Sequence, residues 1–383
     1  MKRSFKVLLM LFLIISFFTS CSTLGNIDAK GALGKGKYSG KYWPTNDWRT
    51  CQPEEVGIDS NKLSKAIEYV ATPRFNNEGI VIIKDGYIIA ESYFGLFRKS
   101  SKHTSHSMAK SFTSTLIGIA IDKGLIAGID EKICKYYASW DCTDKEDLRS
   151  KITLRHAMTL TTGLEWHEDW SRWDPATNDA LKMGASCHFV KYMSNREGVD
   201  EPGQVFKYST GDPMLLSRII QKSTRKTAFE FAKQNLFKPL NITNVDWATD
   251  LDGYTSTAWG LELTVRDYAK FGYLFLNKGR WEDKQIVSKQ WVEKSTHTDP
   301  SVRMWDAYGY LWHVNLPHRL KWNNSPLPRD TIPSDGYMAE GVMGQNIFII
   351  PSKDLVIVRV ANQTGEGMDL VKFLNMVLKL IKK

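Results

Sequence analysis

The chain has no internal repeat and no low-complexity segment, which excludes solenoids and fibrous arrays. It also lacks any stripe of Lys and Arg interleaved with aromatics, so a formal charge of +9 does not point to a nucleic-acid partner. Cysteines are few, five in 383 residues, and none stands at metal-ligand spacing. The apolar run Val7–Phe18 is too short to span a bilayer comfortably. What is there is 42% apolar content over a length that can bury a substantial core, read as two lobes.

That apolar run follows Lys2, Arg3 and Lys6 and reads as a signal peptide over residues 1–20. Phe18-Thr19-Ser20-Cys21 resembles a bacterial lipobox, with Phe18 where Leu is usual, so Cys21 is expected to carry a lipid. The alternative is an ordinary cleaved leader with an incidental cysteine. Loss of residues 1–20 removes three positive charges and leaves +6. The expected address is an exported, membrane-anchored lipoprotein facing the periplasm or the cell surface. Residues 21–47, with Gly34-Lys35-Gly36, read as a tether rather than a phosphate loop, since no strand precedes that cluster. The remaining cysteines, Cys51, Cys134, Cys142 and Cys187, allow three pairings. A local Cys134–Cys142 loop would leave Cys51 for Cys187.

The most informative stretch is Ser105-His106-Ser107-Met108-Ala109-Lys110. Phe112, Leu116, Ile119 and Ala120 then recur at helical spacing, and Gly124 reads as the helix end. Ser107 is thereby placed at a helix N-terminus, where free N–H groups favour developing negative charge. Lys110 lies one turn on, within reach of the Ser107 hydroxyl. Serine is a poor nucleophile until a base takes its proton, and a desolvated lysine can be neutral enough to do so. This Ser-x-x-Lys pattern is weak alone: Ser223-Thr224-Arg225-Lys226 also fits, in a charged turn where it has no evident use.

Asp59 reads as the cap of a helix to Val70, and Asp85-Gly86 joins two β-rich runs, Gly79–Ile83 and Tyr87–Tyr93, as a hairpin. Helical periodicity fills Pro213–Gln221, Ala228–Leu236 and Thr264–Asn277. Strand character returns at Tyr308–Val314, Gln345–Ile350 and Leu355–Val360, before a last helix from Met368 to Ile381. Strands at both ends and helices between predict one sheet built from both ends of the chain, with a helical insertion. An α/β lobe is expected over residues 48–120 and 300–383, and a helical lobe over 121–299.

Two further segments complete a candidate site. Tyr208-Ser209-Thr210 sits in a glycine-flanked turn, where a tyrosine beside a lysine can relay a proton. Ala339-Glu340-Gly341-Val342 leads into a strand, and the Val342 amide with that of Ser107 would form a two-donor oxyanion hole.

Taken with Ile152–Leu164, these segments resemble the β-lactamase-related serine hydrolases from about residue 50 onward. The likeness is strongest to their 6-aminohexanoate-dimer hydrolase and esterase branch. The resemblance implies an α+β fold, an antiparallel sheet flanked by helices plus an all-helical lobe. It implies Ser107 as nucleophile, Lys110 as base and Tyr208 as proton relay, with no metal or organic cofactor. Where lactamases and D,D-peptidases carry a cation to grip a substrate carboxylate, this chain has Ala339-Glu340-Gly341. A carboxylate at Glu340 disfavours an anionic substrate. In the same branch the loop Glu165–Pro175 covers the site, and Trp170 is the expected aromatic contact, with the other tryptophans lining an apolar slot. Glu340, Gly341 and Trp170 are therefore the expected substrate-binding residues. The expected partner is a small amide or ester; the alternatives are a D,D-carboxypeptidase or penicillin-recognising enzyme, and a catalytically silent ligand-binding lipoprotein.

Overall fold

The computed structural model describes residues 28–170, 173–303, 307–323, 325–363 and 367–381. The expected signal peptide and Cys21 lie outside the described residues. Helix α1 (Ser60–Val70) starts where the Asp59 carboxylate accepts the Lys62 amide at 3.0 Å, and buries Leu63, Ile67 and Val70. Strands β1 (Asn77–Lys84) and β2 (Tyr87–Tyr93) follow as the predicted hairpin. Asp85 and Gly86 both take positive φ, 52° and 82°, the turn that matches strand twist.

After β3 (Lys102–Thr104) and a 3-10 turn, His106–Met108, comes α2 (Ala109–Asp122). The predicted apolar stripe is buried, but so is every residue from Ala109 to Ala120, polar ones included. A helix closed off on all sides lies between layers rather than on a surface. Several of its polar groups bond inward: Ser111 donates to the Leu311 carbonyl and Thr113 to that of Thr257. Phe112 stacks on Phe271 with ring centroids 3.7 Å apart.

The middle of the chain supplies α3 (Leu154–Thr159), α4 (Asp179–Ser186), α5 (Phe189–Ser194), α6 (Asp212–Thr224) and α7 (Ala228–Ala232), which runs on into a π-helical turn. Then come β4 (Asp246–Trp247), β5 (Leu261–Thr264), α8 (Val265–Leu276), the small hairpin β6 (Arg280–Trp281) and β7 (Lys284–Gln285), and α9 (Lys289–Ser295). The sheet is completed by β8 (Tyr337–Gly341), β9 (Gln345–Ile350) and β10 (Leu355–Ala361), with α10 (Leu316–Arg319) before them and α11 (Leu370–Leu378) after. Strand order is β2-β1-β10-β9-β8, all antiparallel, so the two ends of the chain meet at β1 and β10 as predicted.

Both faces of the central strands are covered, which is why they read as unbroken apolar runs. Ile80, Ile82 and Ile357 face the core shared with α1 and α11, while Val81, Ile83 and Val358 face the core shared with α2 and α8. Each such fully buried side chain contributes roughly 1.5–3 kcal/mol.

Four expectations need correction. Residues 28–47 are not a free tether: Gly34 donates to the Ile89 carbonyl at 2.9 Å and Leu33 bridges Ala90, so this segment lies along β2 and shields its edge. Helix α8, expected in the helical lobe, packs against β1, β9 and β10. Tyr308–Val314 is no strand, because Leu311 turns to φ 60° and only isolated bridges form. Cys134 and Cys142 form a disulfide, but Cys51 and Cys187 are free. Cys51 is buried beside β2, whereas Cys187 caps α4 in the helical layer. Among the described residues no helix is long and apolar enough to cross a membrane.

Candidate active site

Ser107 sits in the 3-10 turn that opens α2, as its position before the apolar stripe predicted. The residue before it, His106, holds φ at +43°, a conformation non-glycine residues adopt at a cost. The turn is clamped on both sides, with the Ser105 amide donating to the Leu261 carbonyl at 2.7 Å and the Met108 amide to Ser105 at 3.0 Å. Gly341, at the end of β8, lies against this turn so closely that a Cβ there would sit 2.4 Å from the Ser105 carbonyl oxygen. Val342 follows directly, which brings its amide to the same end of the sheet as Ser107. The sequence reading assigned Gly341 to a ligand approach; the chain segment it approaches is the serine turn itself.

Lys110 Nζ lies 2.7 Å from Ser107 Oγ and 3.3 Å from Thr210 Oγ1. The lysine is buried, and burial pulls its ammonium down to about 8 against a smaller opposing pull from Glu168. Tyr208 completes the group. Lys110 Nζ stands 5.1 Å from the centre of its ring, and the phenol lies beside Ser107. Burial, with the Glu168 charge next, pushes that phenol well above its ordinary range, while Ser107 works the other way. His106 is held neutral, pulled down to about 4 by burial and then by Lys110. The second Ser-x-x-Lys is a surface feature: Ser223 bonds the Tyr136 hydroxyl, and Lys226 lies beyond the end of α6.

Three residues in this cluster carried no individual assignment from sequence. Glu168 accepts four hydrogen bonds, from the Thr210 amide and hydroxyl at 2.6 Å each and from the indoles of Trp166 at 2.9 Å and Trp170 at 2.7 Å. The sequence reads the acids of this loop as able to meet a substrate amine; Glu168 meets Thr210 and two indoles of the chain itself. Trp166 is buried against Tyr192; Trp170, half-buried, packs edge-on to the exposed Trp173. Arg319 and His313 surround Glu340. Arg319 Nη2 lies 2.5 Å from the Glu340 carboxylate, and Arg319 Nε donates to His313 Nδ1 at 3.2 Å. With Nδ1 accepting, the proton of neutral His313 belongs on Nε2, 3.5 Å from Glu340. Burial first, then Arg319 and Lys110, holds His313 well below its ordinary range. Glu340 is thus a charge-compensated carboxylate, and the repulsion of anions expected from it alone is offset by Arg319. Below the tyrosine turn, buried Asp212 accepts Thr162 and Ser209, and burial pushes its carboxyl up to about 7.

The sequence profile of the beta-lactamase family matches residues 68–379. The chain belongs to the beta-lactamase family. Within that family it is 24% identical over 346 residues to an uncharacterised protein of Alkalihalophilus pseudofirmus, covering 82% of this chain and 90% of the other. It is 21% identical to the 6-aminohexanoate-dimer hydrolase of Paenarthrobacter ureafaciens, over 78% of this chain and 75% of that one. A solved structure, the octameric penicillin-binding protein homologue from Pyrococcus abyssi, superposes with a TM-score of 0.59 at 19% identity, covering 84% and 77% of the two chains. The fold is that of the beta-lactamase family, an antiparallel sheet with helices on both faces and a helical layer beside it.

Proposed function

We propose that this beta-lactamase-family hydrolase cleaves small amides or esters through an acyl-enzyme on Ser107. The observation that carries the reading is the 2.7 Å contact between Ser107 Oγ and a buried lysine held near 8. Ser107 Oγ attacks the carbonyl carbon as its proton passes to neutral Lys110. The tetrahedral oxyanion rests on the amides of Ser107 and Val342. The C–N or C–O bond then breaks, and Tyr208, protonated because its phenol is held high, gives the leaving group its proton and regains one from Lys110. Water repeats the sequence on the ester carbon and frees Ser107. Trp170 and Glu340 shape the substrate side, and Gly341 packs β8 against the serine turn. The 6-aminohexanoate-dimer hydrolase relative supports a linear amide among the substrates. Leader, Cys21 and the Cys134–Cys142 disulfide are in keeping with an anchored envelope enzyme.

A second reading, a D,D-carboxypeptidase or penicillin-recognising enzyme, is favoured by one observation: Arg319 puts a cation where the sequence placed only Glu340. The test sets a short-chain p-nitrophenyl ester, a linear aminohexanoate amide and a chromogenic cephalosporin side by side, with the chain from residue 22. Ester or amide turnover with the cephalosporin untouched is the expected result; rapid cephalosporin acylation would move the protein to the second reading.

The pH dependence has a definite sign. Lys110 must be neutral to accept the proton, and its conjugate acid is held near 8 rather than above 10. The kcat/KM of p-nitrophenyl ester hydrolysis should therefore rise about tenfold per pH unit below that point and level off above it. A flat profile between about pH 6 and pH 9 would remove Lys110 as the base.

A further inference from the structure

Glu168 lies on the loop after α3, far in sequence from both Lys110 and Tyr208, yet its carboxylate meets the same Thr210 that Lys110 meets. Lys110 Nζ donates to Thr210 Oγ1, and that hydroxyl donates on to Glu168 Oε1 at 2.6 Å. A hydroxyl has one proton, so committing it to Glu168 leaves its lone pairs facing Lys110. The other three donors, the Thr210 amide and the two indoles, hold the carboxylate in that orientation. Four donors on one carboxylate fix both of its oxygens in place.

We propose that Glu168 is a positioning residue of this site: acting through Thr210, it aims the Lys110 amine at Ser107. The proposal rests on the reading of Ser107 and Lys110 as nucleophile and base. The other groups around Lys110 do not supply this field. Ser107 and His106 come from its own turn, and His106 is neutral. Tyr208 is protonated, and His313, from the 308–314 segment, is neutral. Behind His313, Glu340 is compensated by Arg319. Asp212 lies under Ser209, shares no hydrogen bond with Lys110 or Thr210, and does not figure among the charges acting on the lysine. Among the described residues Glu168 is the carboxylate whose charge opposes the effect of burial on the ammonium. Its oxygen is within about 6 Å of Nζ, close enough for a shift of about one to two pH units.

The same Glu168 accepts Trp166 and Trp170, so the aromatic side of the pocket and the base share one anchor. A purely structural glutamate would lower activity equally at every pH. A positioning one moves the profile.

The test needs no knowledge of the natural substrate. A fluorophosphonate reacts with an activated serine: the Ser107 Oγ–P bond forms, the P–F bond breaks, fluoride leaves, and the proton goes to Lys110. The rate constant for this labelling is measured against pH for the wild type, Glu168→Gln, Thr210→Val and Ser107→Ala. In Glu168→Gln the midpoint of the rising limb is expected about one pH unit or more below the wild type, because loss of the anion destabilises the ammonium. In Thr210→Val the charge stays, so the midpoint should hold while the plateau falls about tenfold or more from lost alignment. A Glu168→Gln limb within about 0.3 unit of wild type overturns the proposal. If Glu168→Gln fails to fold, a Thr210→Val enzyme labelled at the full wild-type rate overturns it instead. Labelling that persists in Ser107→Ala sinks the nucleophile assignment itself, an outcome distinct from an unmoved limb with an inert Ser107→Ala.

Discussion

Ser107→Ala is expected to lower turnover of any accepted ester or amide by about 10^4-fold or more, and Lys110→Ala by a similar factor. The magnitude follows from their acting as one unit. Lys110 is the base that meets Oγ, at 2.7 Å, and its other hydroxyl contact, Thr210, is longer at 3.3 Å. For the same reason the double variant should be hardly worse than either single one, since the second removal deletes a partner already idle. Lys110→Arg sharpens the argument. A guanidinium keeps positive charge beside Ser107 but cannot lose a proton in a protein. If the lysine acts as base, the arginine enzyme is as dead as the alanine one; if it only supplies charge, activity partly survives. Single-turnover release of p-nitrophenol by the four proteins, after thermal melts establish that each is folded, decides it. Retained turnover in Ser107→Ala would refute the assignment outright.

Gly341→Ala should cost about 10²-fold in kcat with a smaller change in KM. The added methyl would lie 2.4 Å from the Ser105 carbonyl oxygen and 3.1 Å from His106 Cβ. Neither neighbour is the free end of a flexible side chain, so backbone must move. His106 already holds a positive φ, so the serine turn has little slack to absorb the push. Displacement of the turn from β8 separates the Ser107 and Val342 amides, the two proposed donors, whose value would depend on spacing near 3 Å from one oxyanion. Ground-state binding, which leans on the loop side chains, suffers less. Steady-state kinetics of a crystallisable or spectroscopically folded Gly341→Ala enzyme give the answer, and unchanged kcat would mean that β8 takes no part in the chemistry.

The parts of this molecule that were legible in sequence are those whose physics is local. Asp85-Gly86 dictates its own turn, the α2 stripe dictates a helix, and Ser107 with Lys110 are brought together by that helix alone. Tyr208 was legible through its glycine-flanked turn and its place in an ordered set of motifs. Glu168, His313 and Arg319 were not, because each meets its partners from a different part of the chain and no short-range pattern announces it. Glu340 shows the consequence. Read alone it is an unpaired acid; in the fold it is bound to an arginine 21 residues upstream. The 308–314 segment failed for another reason, since its β-rich composition reflects burial among Tyr208, Tyr308 and His313 rather than ladder pairing. Gly34 and Gly36 suggested a flexible linker, yet they are small because backbone packs on backbone at Cys51 and Thr50.

The pairing of β1 with β10 carries a consequence for biosynthesis. The strand at the middle of the sheet is contributed by residues 355–361, made after every other strand of that sheet. Until they emerge, β1-β2 and β8-β9 are separate hairpins, each with an open edge, and the serine turn has no finished wall to rest on. The same arrangement makes a premature stop near residue 354 far more damaging than the loss of some thirty residues suggests, since it would not trim the sheet at its rim but divide it.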